Sequence, residues 1–147
     1  MRELNAPTTA EIAEFADLFD QYRGHYGQAA DYEQSVAWLQ RNVSSGPLKV
    51  FSAEIDRKMV GFAITMDIPA SLRLGHYWQI KDLFVVPQSR RVGVARALLS
   101  RVRSSAVAAG ALRIVLQTEL DNSNALRLYE ESGFITLDGY RSLVLPL

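Results

Sequence analysis

The stretch Phe84-Val85-Val86-Pro87-Gln88-Ser89-Arg90-Arg91-Val92-Gly93-Val94-Ala95-Arg96 decides how the chain is read. An apolar run closes at Pro87, and an amphipathic helical pattern opens at Val94, so the segment is a strand-to-helix junction. The first N–H groups of a helix have no intrahelical acceptor, and the helix dipole favours an anion beside them. Gly93 and small Ala95 leave the main chain open to a phosphate, and Arg90, Arg91 and Arg96 add charge-assisted donors. Neither GxxxxGK[ST] nor GxGxxG occurs here, so neither nucleoside-triphosphate nor dinucleotide chemistry is supported. The plain alternative for the same residues is a solvated, arginine-bearing helix start.

Upstream of this junction the spacing predicts two helices and three strands. Thr8-Thr9-Ala10-Glu11 reads as a capping box, followed by Ile12, Phe15, Ala16, Phe19 and Tyr22 at helical intervals, with Gly24 and Gly27 as the stop. A second helix carries Tyr32, Val36, Leu39 and Val43 on one face. Strand-like runs cover 48–55 and 59–68 across the turn Asp56-Arg57-Lys58, and a longer one covers 76–86. Downstream, 94–109 is a helix with Val94, Leu98, Val102 and Ala106 inward and Gly110 as its stop. A strand at 112–117, a short helix at 122–132 and a closing hairpin of 134–137 with 140–145 complete the pattern, and 2–6 is a candidate short strand. A meander followed by crossovers implies an α+β protein: one mixed, largely antiparallel sheet of six to seven strands flanked by helices. No repeat or low-complexity linker divides the chain, so 1–147 is read as a single domain.

Composition narrows the chemistry. The 147 residues carry 16 Lys+Arg against 16 Asp+Glu, two histidines and no cysteine. Without cysteine there are no disulfides, thiolate zinc sites or thiol nucleophiles, and the lone His25 and His76 do not suggest a metal site. The N-terminus has no apolar leader-like run, and no stretch approaches eighteen apolar residues, so a cytoplasmic protein without membrane association is expected. The neutral total conceals a split: 83–118 holds six arginines and no acid, leaving the remainder acidic. A neutral chain argues against a broad nucleic-acid surface, whereas a compact arginine cluster suits a small polyanion.

A second motif, Asn122-Ser123-Asn124-Ala125-Leu126-Arg127-Leu128-Tyr129-Glu130-Glu131-Ser132-Gly133-Phe134, begins 29 residues beyond Gly93. By itself it is a capped helix with an amphipathic tyrosine. Together the two motifs resemble those of the GNAT superfamily of acyl-CoA-dependent N-acetyltransferases. Arg90, Gly93 and Ala95 match its [Q/R]xxGx[G/A] loop, and Asn122, Ala125, Leu128, Tyr129, Gly133 and Phe134 match NxxAxxLYxxxGF. The order of elements is also that family's. Ile80-Lys81-Asp82-Leu83-Phe84-Val85 is similar to a strand of polyamine and related small-amine acetyltransferases, with Asp82 matching and Lys81 departing from the acidic residue expected there. Gln79 likewise stands where histone-type members carry glutamate.

The resemblance implies the GNAT-type acyl-CoA N-acyltransferase fold and transfer of an acetyl group from acetyl-CoA to a primary amine in a ternary complex. It implies that Phe84 and Val85 meet the pantetheine arm, that Arg90, Arg91, Val92, Gly93, Val94, Ala95 and Arg96 hold the pyrophosphate, and that Asn122, Asn124 and Ala125 lie along the cofactor. Tyr129 is the expected general acid and Asp82 a candidate base, with Glu119, His25 and His76 as other titratable choices. Tyr22, Tyr26, Trp78 and Glu119 are the expected acceptor contacts, the tyrosines because aromatic faces suit an ammonium group. A small amine is the favoured acceptor. A protein lysine or N-terminus, or a non-catalytic acyl-CoA-binding role, remains an alternative reading, and a homodimer is compatible with the family.

Overall fold

The computed structural model describes residues 1–4, 7–44, 46–139 and 141–146. They fall into two units, 1–117 and 118–147. The first contains β1 (Arg2–Glu3), α1 (Thr9–His25), α2 (Tyr32–Leu39), β2 (Leu48–Ile55), β3 (Lys58–Ala70), β4 (Gly75–Val85), α3 (Val94–Ala108) and β5 (Ile114–Val115). The second contains α4 (Ser123–Glu131).

Local signals set the helix ends. Thr8 caps α1 through its hydroxyl while Glu11 returns a bond to the Thr8 backbone, the full capping box. The helix runs through Gly24 and ends at Tyr26 and Gly27, within the Gly24–Gly27 stop expected from the sequence. Asp31 caps α2, which passes into a wider turn at Gln40–Ser44 held in part by Asn42 Nδ2 donating to the Trp38 carbonyl at 2.8 Å.

The sheet order is β1-β2-β3-β4-β5, antiparallel throughout except for β5, which runs parallel to β4. Phe62 and Ile64 of β3 face α1, where Phe15 meets Phe62 edge-on at 5.0 Å. Their neighbours Ala63 and Thr65 share the other face with Phe51, Trp78 and Ile80, against α3. That face is dry: Phe51, Ala63, Trp78, Leu98 and Val102 are all fully or almost fully buried. Burial of one such large side chain is worth about 1.5–3 kcal/mol. At the far end of the hairpin, His76 lies between Asp67 (Nδ1 to Oδ1, 2.6 Å) and the Ala109 carbonyl (Nε2, 3.0 Å), tying β3 and β4 to the C-terminal end of α3.

One irregularity in β4 matters for everything that follows. Thr65 pairs with Ile80 and Ile64 with Asp82, so Lys81 is an extra residue bulged out of the ladder. Side chains alternate along a strand, and Asp82 would otherwise share the α3 face with Trp78 and Ile80. The bulge moves Asp82 and Phe84 to the face covered by α1.

The strand count is five among the described residues, fewer than the six to seven expected. The predicted strand 112–117 is reduced to Ile114–Val115. Residues 134–139 and 141–146 carry no strand pairing, so the expected hairpin is not formed there; Tyr140 lies outside the described residues, as do Asn5 and Ala6 of the predicted strand 2–6. The leucines and valines of the hairpin sequence, Leu137, Leu143, Val144 and Leu145, are exposed. Alternating apolar character alone does not make a strand without a partner edge.

Candidate active site

The site in the first unit is built on the C-terminal half of β4. Pairing between β4 and β5 covers only Trp78 and Gln79. From Lys81 onward no strand lies along the outer edge of β4 among the described residues. The Val86 N–H donates to Val60 on β3 at 2.9 Å, so by antiparallel alternation the Val85 N–H and carbonyl point to that open edge. The close strand approach here requires glycine at position 61, since a Cβ there would come within 2.8 Å of the Phe84 carbonyl oxygen.

On the α1 face of this half-strand, the Tyr22 hydroxyl donates to Oδ1 of Asp82. Tyr22 packs edge-on against Phe62 (5.5 Å), Phe84 (5.8 Å) and Tyr26 (5.2 Å). Burial pushes the Asp82 carboxyl above the ordinary aspartate range, opposed by the Tyr22 hydrogen bond and the nearby positive charge of Lys81. A half-buried carboxyl of raised affinity for protons, in an aromatic wall, can take up a proton from an adjacent amine. His25, exposed, lies against Phe84 at 6.2 Å and Tyr26 at 5.3 Å.

Beyond β4 the chain turns at Pro87–Ser89 and reaches α3 through Arg91 (φ 63°) and Gly93 (φ 90°), both left-handed. No side chain caps α3. A Cβ at Gly93 would meet nothing within 4 Å, so the approach to the Val94 and Ala95 N–H groups is open and an anion can be received there. Arg91, Val92 and Arg96 are exposed around this opening. Arg90 is placed differently from its expected role: Nε donates to the Val85 carbonyl at 2.8 Å, and the guanidinium lies 5.7 Å from the Phe84 ring centre. It braces the end of β4.

Trp78 is corrected by the fold. It is 1% exposed, packs against Phe51 and lies beneath Lys49 on the α3 face, the opposite side of the sheet from Asp82. It is a core residue, because it precedes the bulge. Sequence reading also missed the contribution of α2. Phe19 stacks on Trp38 at 5.3 Å, and a cleft of about 150 Å³ lies between Phe19, Arg23, Gln34, Ser35 and Trp38. Apolar spacing marked Phe19 as core, but nothing local in the sequence pairs it with Trp38.

The remaining expected residues belong to the second unit. Asn122 caps α4, accepting from the Ala125 N–H at 3.3 Å, with Asn124 exposed in the first turn. Glu119 is exposed and held below the usual carboxylate range by its own backbone N–H, then by Asn122 and Thr118. Its role in this unit is that of a local turn acceptor. Tyr129 is half-buried, with its ring 5.8 Å from Phe134.

Comparison with known proteins places this arrangement among relatives. Residues 12–134 match the Acetyltransferase (GNAT) family. The chain is 34% identical over 126 residues to an uncharacterized N-acetyltransferase, YhfO, of Bacillus subtilis (strain 168), covering 86% of this chain and 85% of that one. It is 30% identical over 118 residues to a probable acetyltransferase of Haemophilus influenzae (strain ATCC 51907 / DSM 11121 / KW20 / Rd), covering 80% and 79%. A crystal structure of a probable acetyltransferase superposes with a TM-score of 0.90 at 28% identity, covering 100% of this chain and 98% of that one.

Proposed function

The chain belongs to the acetyltransferase (GNAT) family, and from that premise we propose that it transfers the acetyl group of acetyl-CoA to the primary amine of a small molecule by direct attack in a ternary complex. The observation that carries this reading is the continuity of β4. Asp82 and Phe84 face the aromatic wall of α1, while the Val85 backbone groups face the open sheet edge. An acceptor on one side and an extended acyl carrier on the other would meet at these residues.

Each residue then has a physical task. The Val85 N–H offers a strand-like hydrogen bond to an extended pantetheine arm, whereas the Phe84 backbone, also expected to meet that arm, is turned to β3 by the same alternation. The uncapped start of α3 receives the pyrophosphate, with Gly93 keeping the approach clear and Arg91 and Arg96 supplying positive charge. Asp82 takes the proton that the ammonium must lose before its nitrogen attacks the acyl carbon. As the new C–N bond forms and the C–S bond breaks, the nitrogen releases its second proton to solvent, and the departing thiolate takes a proton from Tyr129, the role its motif position implies. Solvent then restores that proton to the phenol. Asn122, Asn124 and Ala125 are assigned to the cofactor on the same ground. No nucleophile of the protein is consumed, consistent with a chain lacking cysteine.

The test is acetyl-CoA-dependent thiol release across small amines and lysine-containing peptides, with Tyr129→Phe beside wild type. Turnover reduced about 100-fold in that variant, within the range of general acid catalysis, with acetyl-CoA affinity retained, is expected. Wild-type turnover in Tyr129→Phe removes the tyrosine from the mechanism, and binding without turnover on any acceptor overturns the transferase reading.

A further inference from the structure

We infer that the acceptor is a primary monoamine with an apolar aryl or alkyl body, its ammonium group meeting Asp82 and its body directed toward the cleft between α1 and α2. The inference rests on the acetyl-transfer reading and narrows it to a substrate class.

Charge sets the number of ammonium groups. Asp82 offers one carboxylate, with Oδ1 already accepting from Tyr22. Two acids that flank this region, Asp20 and Asp31, are taken up elsewhere. Asp20 accepts from Arg23 (2.8 Å), from Ser35 (2.6 Å) and from the Asp31 backbone (3.0 Å), and Asp31 caps α2. Beside Asp82 itself the other charges are positive: Lys81 adjoins it, and Arg90 sits over Phe84. A second or third ammonium on the acceptor would meet cations without a carboxylate to offset them, and like charges in such proximity are repelled.

The rings beside Asp82 set the body. Half-buried Tyr22 is backed edge-on by the buried rings of Phe62 and Phe84, and it continues to Phe19 at 5.9 Å and thence to the Phe19–Trp38 stack. The cleft bounded by that stack has about 150 Å³, a volume that in an apolar cavity accommodates a benzene-sized group. Arg23 at its edge is neutralised by Asp20, so the cleft offers rings and a compensated ion pair and favours an uncharged body.

The test measures kcat/KM with acetyl-CoA for 2-phenylethylamine, n-hexylamine, spermidine, kanamycin and a lysine peptide. The first two are expected to exceed the others at least tenfold. Equal or better turnover of spermidine, kanamycin or the peptide overturns this inference while leaving acetyl transfer standing; no turnover with any of them overturns both. Trp38→Leu, and Gln34→Trp, which fills the cleft from its exposed rim without altering the core, are each expected to raise KM for 2-phenylethylamine about tenfold. An unchanged KM in a folded variant shows that the body lies elsewhere and refutes the placement.

Discussion

The hydroxyl of Tyr22, on α1, is bonded to the carboxyl of Asp82, on β4, sixty positions away in the chain. This bond favours the charged carboxylate, whereas burial favours the neutral form and prevails. Tyr22→Phe removes the donor and so pushes the Asp82 pKa further up. If Asp82 accepts the amine's proton, the acidic limb of kcat/KM against pH moves to higher pH in that variant. A limb that stays in place excludes Asp82 as the group it reports.

The same shift has a consequence for stability. A carboxyl whose folded pKa lies above its unfolded value contributes stability that is complete below the unfolded pKa and is lost as pH rises through the folded one. Asp82→Asn has no such titration. Urea unfolding across that window is expected to show wild type losing stability relative to Asp82→Asn as pH rises. An increase of wild type relative to the variant would contradict the burial argument.

The bulge at Lys81 has its own signature. Lys81→Ala keeps the backbone count, so cooperative unfolding close to that of wild type is expected. Deleting Lys81 leaves Ile80 opposite Thr65 and Asp82 opposite Ile64 with no extra residue between them, so the ladder becomes regular and Asp82 keeps the α1 face. Urea unfolding of the deletion variant is expected to stay cooperative and close to that of Lys81→Ala. A deletion variant far less stable than Lys81→Ala would mean that the bulge itself, and not the pairing on either side of it, holds the register.

Gly93→Ala separates folding from binding. The left-handed backbone at φ 90° costs an alanine about 1–2 kcal/mol, but its Cβ meets no protein atom within 4 Å. Acetyl-CoA affinity measured by calorimetry is expected to fall at least tenfold, about 1.4 kcal/mol or more. A small loss of stability with unchanged affinity would remove the start of α3 from the cofactor site.

Arg90 and Arg91 are adjacent but should fail differently. Arg90→Ala takes away the brace on Val85 and Phe84, so kcat is expected to drop more than acetyl-CoA affinity. Arg91→Ala removes an exposed charge, so affinity weakens and its dependence on salt becomes shallower, because screening acts on exposed charges. Indistinguishable kinetics for the two would dissolve the distinction.

The elements that were legible in sequence share a local cause. Thr8 and Glu11 cap a helix through contacts three residues apart, Val94, Leu98, Val102 and Ala106 line one face by periodicity, and Gly93 adopts the backbone its lack of Cβ permits. The junction at 84–96 and the family it resembles were therefore readable from residue order alone. The hairpin expected at 134–145 shows the limit of the same reasoning, since an alternating run becomes a strand only where an edge receives it.

The amino-acid sequence by itself determined the family, the helix ends and the glycine-opened start of α3, because these depend on neighbours within a turn or two. Tertiary structure decided which residues share a face. One bulged residue sends Asp82 toward Tyr22 and leaves Trp78 in the core. Packing of α1 on β3 and β4 brings Tyr22 to the carboxyl, and the return of Arg90 to Val85 makes a brace of an expected ligand. Strand register and side-chain partnership are set by contacts across the sheet, and a one-residue slip reverses every side chain beyond it.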